Sequence, residues 1–267
     1  MIAVEQEVAR LFASIRRDDP CGVIDQFQSL TAANQYRGLY SLTAKYVPPG
    51  ARVLDWGCGR GHFSYWLVKQ GFHVTAYSLE HPPEIFAALS PAETARLTFI
   101  RDPEQTVSRL PFPDQQFAAA FSVGVLEHVR ELGGDEVASL RELRRVVTSG
   151  GVFISYHFPN RYSYIEAVSR ALHACRGART KEGFRFHKHR YTQRTIRGLC
   201  SEVGLVTVEI RRYGFLPRNS FNRLPKRLRE SQTLSSMVNL LDVALERAFS
   251  PVVQNYCFVA KRDPIAT

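Results

Sequence analysis

The sequence predicts an α/β fold, with a mostly parallel sheet covered by helices on both faces. Three observations carry that expectation. Short apolar strands alternate with amphipathic helices from residue 52 to residue 157, the pattern of successive parallel crossovers. Three glycines, Gly57, Gly59 and Gly61, follow the first of those strands and open a helix. The chain has 267 residues, 45% of them hydrophobic, which suits a single large domain with a real core.

The elements follow in order. Residues 1–17 are helical by period, with Val4, Val8, Leu11, Phe12 and Ile15 on one side. A second helix, Ala32–Lys45, stops before Pro48-Pro49-Gly50. Arg52–Trp56 is a short apolar strand. His62–Gln70 is a helix with Phe63, Trp66 and Leu67 on one face and Gly71 as its stop. Phe72–Ser78 is a strand, Pro83–Leu89 a helix and Leu97–Arg101 a strand. Phe117–Val123 is an apolar strand, Asp135–Val147 a helix ending at Ser149-Gly150-Gly151, and Val152–His157 a strand.

After His157 the pattern changes. Tyr162–Cys175 reads as a helix, and 176–190 is basic and aromatic without a period. Thr192–Val203 is a helix that Thr192 caps and Gly204 ends. Leu205–Tyr213 is a strand, and 214–229 is loop-like with two prolines. Leu234–Phe249 places Leu234, Met237, Val238, Leu241, Leu245 and Phe249 on one side, a stripe expected to pack on the core. Asn255–Lys261 is the final strand. The last two strands thus flank an insertion of roughly 40 residues, far longer than a hairpin loop.

Composition sets outer bounds. No apolar run reaches the roughly 18 residues of a spanning helix, and residues 1–17 have no signal-peptide core. A cytoplasmic location is the expectation. Five cysteines, Cys21, Cys58, Cys175, Cys200 and Cys257, form no CxxC pair, so neither a zinc cluster nor a disulfide framework is indicated. The net charge of +10 is uneven: residues 176–229 hold 15 Lys/Arg against 3 Asp/Glu. That stretch is a solvated basic face or the site of an anionic partner.

The glycine loop has the spacing GxGxG, with Asp55 two residues before it. Glycine lets the backbone take positive φ and approach a ligand closely. A dinucleotide loop would want a third glycine at His62. A phosphate-binding GxxxxGK[ST] is also absent. Val53-Leu54-Asp55-Trp56-Gly57-Cys58-Gly59-Arg60-Gly61-His62-Phe63-Ser64 instead resembles the first signature of class I S-adenosylmethionine-dependent methyltransferases. Three further segments resemble that family in its order: 109–117, 121–129 (Phe-Ser-Val-Gly-Val-Leu-Glu-His-Val) and 142–151.

The resemblance implies a Rossmann-like, three-layer αβα sandwich of seven mostly parallel strands, the last antiparallel. N-terminal helices (1–48) would cover a cofactor-binding core (50–160). Insertions at 161–190 and 214–254 would shape the substrate side. S-adenosylmethionine would be the cofactor, with Asp55, Gly57, Cys58, Gly59 and Gly61 against its methionine part. The family's ribose-binding acid at the end of the second strand is replaced here by Ser78, with Glu80 two residues on. Asp102 resembles the acid that accepts from the adenine amino group. Ser122 and Val123 would line the pocket, and His128 would sit on the cofactor side.

Methyl transfer is an in-line displacement at a sulfonium carbon, so the protein supplies alignment and excludes water. An oxygen acceptor also needs to lose a proton. His157, at the end of the fifth strand, is the first candidate base; a hydrogen-bonded pocket wall is its other reading. His187 and His189 are candidates for substrate contact or for the base. Two histidines with no obvious acidic third ligand make a poor metal site, so no metal is expected.

For the acceptor, the basic stretch suits O-methylation of a small molecule, or of a glycan- or lipid-linked acceptor bearing phosphate. Segments 156–164 and 215–219 resemble methyltransferases of bacterial glycan and lipid pathways. A lipophilic metabolite such as a polyketide or quinone is the alternative. RNA methylation and a non-catalytic binding role rank below both, since no RNA-binding module is visible. Arg218, Arg223, Lys226, Arg227 and Arg229 beside the amphipathic helix also suit peripheral membrane contact.

Overall fold

A computed structural model describes residues 2–103, 109–176, 187 and 189–263. Most of the aromatic and basic stretch, 177–186 and 188, lies outside the described residues. Helix α1 (Ile2–Asp18) leads to a second helical segment broken in two. Its parts are α2 (Leu30–Ala33) and α3 (Arg37–Tyr46), joined by a 3₁₀ turn at Asn34–Tyr36. Ser29 caps α2 by accepting from the Ala32 amide at 3.1 Å. Strand β1 (Arg52–Trp56), α4 (His62–Lys69) and β2 (His73–Ser78) follow. Residues expected as a helix at 83–89 form a tighter 3₁₀ turn, Glu84–Ala88, between Pro83 and α5 (Pro91–Thr94).

Then come β3 (Leu97–Arg101), β4 (Phe117–Val123), α6 (Glu136–Val146) and β5 (Val147–Pro159). Strand β5 starts five residues before its expected start at Val152, because Val147 already pairs with Phe117. It also continues past His157, which sits in a bulge at φ +70. Helices α7 (Tyr164–Arg176) and α8 (Gln193–Glu202) precede β6 (Leu205–Tyr213). The insertion holds a 3₁₀ turn at Arg218–Arg223, α9 (Lys226–Arg229) and α10 (Gln232–Ala248), and β7 (Asn255–Arg262) closes the sheet.

The sheet order is β3-β2-β1-β4-β5-β7-β6. Only β7 runs antiparallel to its neighbours, as expected. Successive residues of each strand face opposite layers. Thus Val53, Phe121, Ile154 and Val259 join the core beneath α1, α3 and α4. Their neighbours Leu54, Ala120, Phe153 and Phe258 join the core beneath α6 and α8. Strand order reverses between β1 and β4, so the loops after these strands diverge and leave a crevice at their carboxyl ends.

Helix α10 overturns one expectation. Its buried stripe is Ser235, Val238, Asn239 and Asp242, spaced as a core face should be but mostly polar. Met237, Leu240 and Leu241 are 64%, 61% and 53% exposed. The polar stripe docks on α2 through hydrogen bonds: Asn34 donates to Ser235 Oγ at 3.0 Å, and Asn239 donates to Asn34 at 3.2 Å. Arg218 is buried too, paired with Asp242 at 2.7 Å, so it leaves the exposed basic patch.

Candidate active site

A cavity of 1090 Å³ opens at the strand reversal, between the glycine loop and the β6–β7 insertion. The loop forms its floor. Gly57 and Cys58 donate their amides to Tyr77 O at 2.9 and 3.0 Å, which ties the loop to β2. Gly57 has φ +79, and a Cβ there would sit 2.4 Å from a Val125 methyl. Gly59 has φ +51, yet a Cβ would meet nothing nearer than 4.0 Å. The first glycine is demanded by packing, whereas the second leaves an open cradle.

Asp55 lies under this floor, fully buried, and accepts from Ser64 Oγ at 2.6 Å. Burial pushes its carboxyl up to about 6, against the pull of Ser64. Five buried polar atoms on the cavity's residues have no hydrogen-bond partner among the described residues: Gln26 Oε1, His62 Nε2, Glu127 Oε2, His157 Nε2 and Glu166 Oε2. A buried polar atom left without a partner is costly. Their convergence marks a site built for a polar ligand. Burial lowers His62 to about 4, so its ring is neutral, set against Tyr36 at 4.5 Å between centroids.

His157 is held by Tyr213. The Tyr213 hydroxyl accepts from the His157 amide at 2.8 Å and meets His157 Nδ1 at 3.0 Å. A hydroxyl that already accepts must place its own proton, and Nδ1 is there to take the hydrogen bond. That pairing assigns the ring proton to Nε2. Burial, with His62 and His187 nearby, lowers His157 to about 3. A neutral imidazole protonated at Nε2 donates a hydrogen bond at neutral pH; it does not take a proton. With Nδ1 engaged by Tyr213, His157 presents Nε2 to the cavity.

Opposite it, Glu127 and His128 follow β4 in a 3₁₀ turn, Leu126–Leu132. Burial lifts Glu127 to about 8. His187 joins them from the far side of the chain, its Nδ1 at 2.6 Å from Glu166 Oε1. The acidic group that the sequence did not reveal beside the histidines is Glu127. His189 is not in this cavity; it lines a separate groove with Arg130, Arg161 and Arg190.

Residues 54–155 match the family described as a methyltransferase domain. The chain carries a class I S-adenosylmethionine-dependent methyltransferase domain. Over 131 residues it is 34% identical to a 2-methyl-6-phytyl-1,4-hydroquinone methyltransferase of Synechocystis, covering 46% of this chain and 35% of that protein. Over 122 residues it is 32% identical to a ubiquinone biosynthesis O-methyltransferase of Pseudomonas aeruginosa, covering 45% and 50%. The matched stretch spans half or less of these relatives' lengths. A solved structure of a Burkholderia thailandensis 1,6-didemethyltoxoflavin-N1-methyltransferase, holding S-adenosylhomocysteine, superposes with a TM-score of 0.55 at 19% identity. That match covers 94% of this chain and 88% of the other, and shows a shared fold.

The methyltransferase floor fits its cofactor: Gly59 leaves room for a methionine moiety, and Asp55 braces the loop through Ser64. Val123, Cys58 and His128 line the cavity. Ser122 does not; its Oγ accepts from the Leu126 amide at 3.0 Å and caps the turn after β4. Ser78, Glu80 and Asp102 lie outside the cavity lining, at the ends of β2 and β3. Ser78 Oγ accepts from the Glu80 amide at 3.1 Å, which leaves the exposed Glu80 side chain as the acid of that turn. Asp102 accepts from Tyr77 at 2.6 Å. Tyr36, from the N-terminal cover, lines the cavity, and His62, Glu127, Glu166 and Tyr213 are site residues that sequence reasoning passed over. His62 and Glu127 stood inside the quoted motifs; their burial is what gives them a role.

Proposed function

We propose that this chain is an S-adenosylmethionine-dependent O-methyltransferase acting on an anionic, lipid-linked small acceptor. The observation that carries the reading is one cavity that runs from the open glycine cradle to five buried polar atoms without hydrogen-bond partners among the described residues. S-adenosylmethionine supplies the activated methyl group when bound. The chain's own residues hold, align and seal. Asp55 and Ser64 fix the floor, with Gly57, Cys58, Gly59 and Gly61 along the methionine part. Ser78 and Glu80 stand on the ribose side, and Asp102 on the adenine side. The N-terminal cover, 1–48, brings Tyr36 over the cavity and excludes water.

His157 donates from Nε2 to an acceptor oxygen and fixes its angle of approach. Glu127, His128 and His187 wall the acceptor side of the cavity, and the acceptor's proton leaves there to water. Arg60, Arg212 and Arg223 line the same cavity and suit a phosphate or other anionic group. His189, with Arg130, Arg161 and Arg190, gives a second basic groove for the acceptor's extension. The described residues of 161–190, together with 214–254, make up the substrate side in this reading.

The exposed stripe of Met237, Leu240 and Leu241, beside Lys226 and Arg227, suits the surface of an anionic membrane. No helix among the described residues is long and apolar enough to cross one. A cytoplasmic enzyme that visits its lipid substrate at the bilayer accounts for both. Nucleic acid has no part in this reading.

A second acceptor class, a prenylated quinol, is favoured by the activities of the two relatives and by the Tyr36, Tyr156 and Tyr213 rings. Labelled-methyl transfer from S-adenosylmethionine, screened over lipid-linked phosphosugars, nucleotide sugars, quinols and RNA, separates the readings. Transfer to a lipid-linked phosphosugar supports the first; transfer to quinols alone replaces it with the second. Transfer to RNA alone overturns both.

A further inference from the structure

We propose that Glu127, His128 and His187 bind a first-row divalent cation in the wall of the active-site cavity. One ligand atom from each residue lies within 4.8 Å of the other two. Ligand atoms around a tetrahedral ion with bonds of about 2.1 Å stand about 3.4 Å apart.

Two further observations point to a cation. First, both imidazoles are held by carboxylates through the same ring nitrogen. His187 Nδ1 meets Glu166 Oε1 at 2.6 Å, and His128 Nδ1 meets Glu131 Oε2 at 3.2 Å. Each ring is thereby oriented, and Nε2 remains as its second nitrogen. A metal-binding histidine has this arrangement: the outer carboxylate takes the Nδ1 proton and raises the basicity of the free nitrogen. Second, Glu127 is 1% exposed, and its Oε2 has no hydrogen-bond partner among the described residues. A carboxylate oxygen buried with no donor costs free energy that a bound cation would remove.

The donor set selects the cation. Two imidazoles and one carboxylate suit Zn²⁺, Co²⁺ or Mn²⁺ better than Mg²⁺ or Ca²⁺, which favour all-oxygen sites. Three protein ligands leave at least one coordination position open. All three residues line the same cavity as the glycine loop, so that position faces the acceptor. There the cation stabilises the alkoxide form of an acceptor hydroxyl. The O–H bond breaks, the proton passes to solvent water, and the oxygen keeps its electron pair; as that pair bonds to the methyl carbon, the methyl–sulfur bond breaks, its electrons stay on sulfur, and S-adenosylhomocysteine leaves. This role rests on the proposed oxygen acceptor; the binding of the cation does not.

The test uses the full chain, stripped with a chelator, returned to metal-free buffer and titrated with Co²⁺ by visible absorption and Zn²⁺ by calorimetry. One ion per chain is expected, with affinity reduced at least tenfold in both Glu127→Gln and His187→Ala. Glu166→Gln leaves the ligands intact and is expected to weaken binding about tenfold through lost orientation. His187 is half-buried at the cavity edge, so His187→Ala reports binding even if Glu127→Gln melts early. No saturable binding up to about 1 mM, roughly −4 kcal/mol, overturns the proposal. So does unchanged affinity in His187→Ala. Methyl transfer is followed in the same samples: transfer by a chain that binds no metal overturns the cation site and spares the proposed function.

Discussion

Asp242→Ala tests how the insertion is fastened over the cavity. Asp242 and Arg218 are 1% and 5% exposed. Asp242 Oδ1 accepts from the amides of Phe215 and Leu216 at 3.0 and 2.8 Å. Its Oδ2 accepts from Arg218 Nε and Nη2 at 3.0 and 2.7 Å. Arg218 in turn donates from Nη1 to Thr31 O and to Asn239, at 3.2 and 2.6 Å, which ties the insertion to α2. Truncating the carboxylate strands a buried guanidinium and two amides. Breaking a buried pair from one side costs about 3–5 kcal/mol. For a chain of this size that is a fall in Tm of about 6–20 °C. Thermal melts followed by circular dichroism at neutral pH read it directly. Arg218→Met with Asp242→Leu removes both charges and should recover part of the loss, because the desolvation penalty goes with them. A single-variant shift below about 1 °C, or a double variant less stable than Asp242→Ala, would refute the pair as the anchor.

Asp55 gives a pH signature. Its folded carboxyl stands near 6 against a model-peptide value of 3.8, so the folded state binds the extra proton. The associated stability is present below about pH 4 and is lost as pH rises through about 6, on the order of 3 kcal/mol in full. Asp55→Asn should flatten that dependence and raise Tm at pH 8; matching pH profiles for the two proteins would count against the assignment. Tyr213→Phe frees the His157 ring and should cut turnover, up to about 100-fold, while S-adenosylmethionine affinity holds; an unchanged kcat would remove Tyr213 from the mechanism. Met237→Glu with Leu241→Asp should lower co-sedimentation with anionic vesicles and leave Tm unchanged. Pelleting equal to wild type would dismiss α10 as the membrane face.

The sheet was largely legible in the sequence. Arg52–Trp56, Leu97–Arg101, Phe117–Val123 and Leu205–Tyr213 fold with the bounds expected of them, because each is a short apolar run between turn residues. The errors share one cause: contacts between residues far apart in sequence. Periodicity picks out the apolar stripe of α10, whereas the buried stripe is the polar one. The choice falls to Asn34, Arg37 and Arg218, polar partners supplied by other elements. Arg218 therefore counted as a surface charge until Asp242 was placed beside it. The end of the fifth strand places His157 at the site as a base or a pocket wall; its partner Tyr213 lies 56 residues away and shows only in the fold. Glu127 and His187 likewise come together only in the fold.

The central claim is that S-adenosylmethionine rests on the glycine loop. Calorimetric titration of S-adenosylmethionine into wild-type protein and Gly59→Leu tests it most directly. Gly59 has open space around its Cβ position, so the variant should keep its fold, losing only about 1–2 kcal/mol to the left-handed backbone. Its side chain would fill the cradle. The account expects one site per chain in the wild type and a loss of at least about 100-fold, near 2.7 kcal/mol, in the variant. Equal affinity in a folded Gly59→Leu protein, or no binding to the wild type, would contradict it.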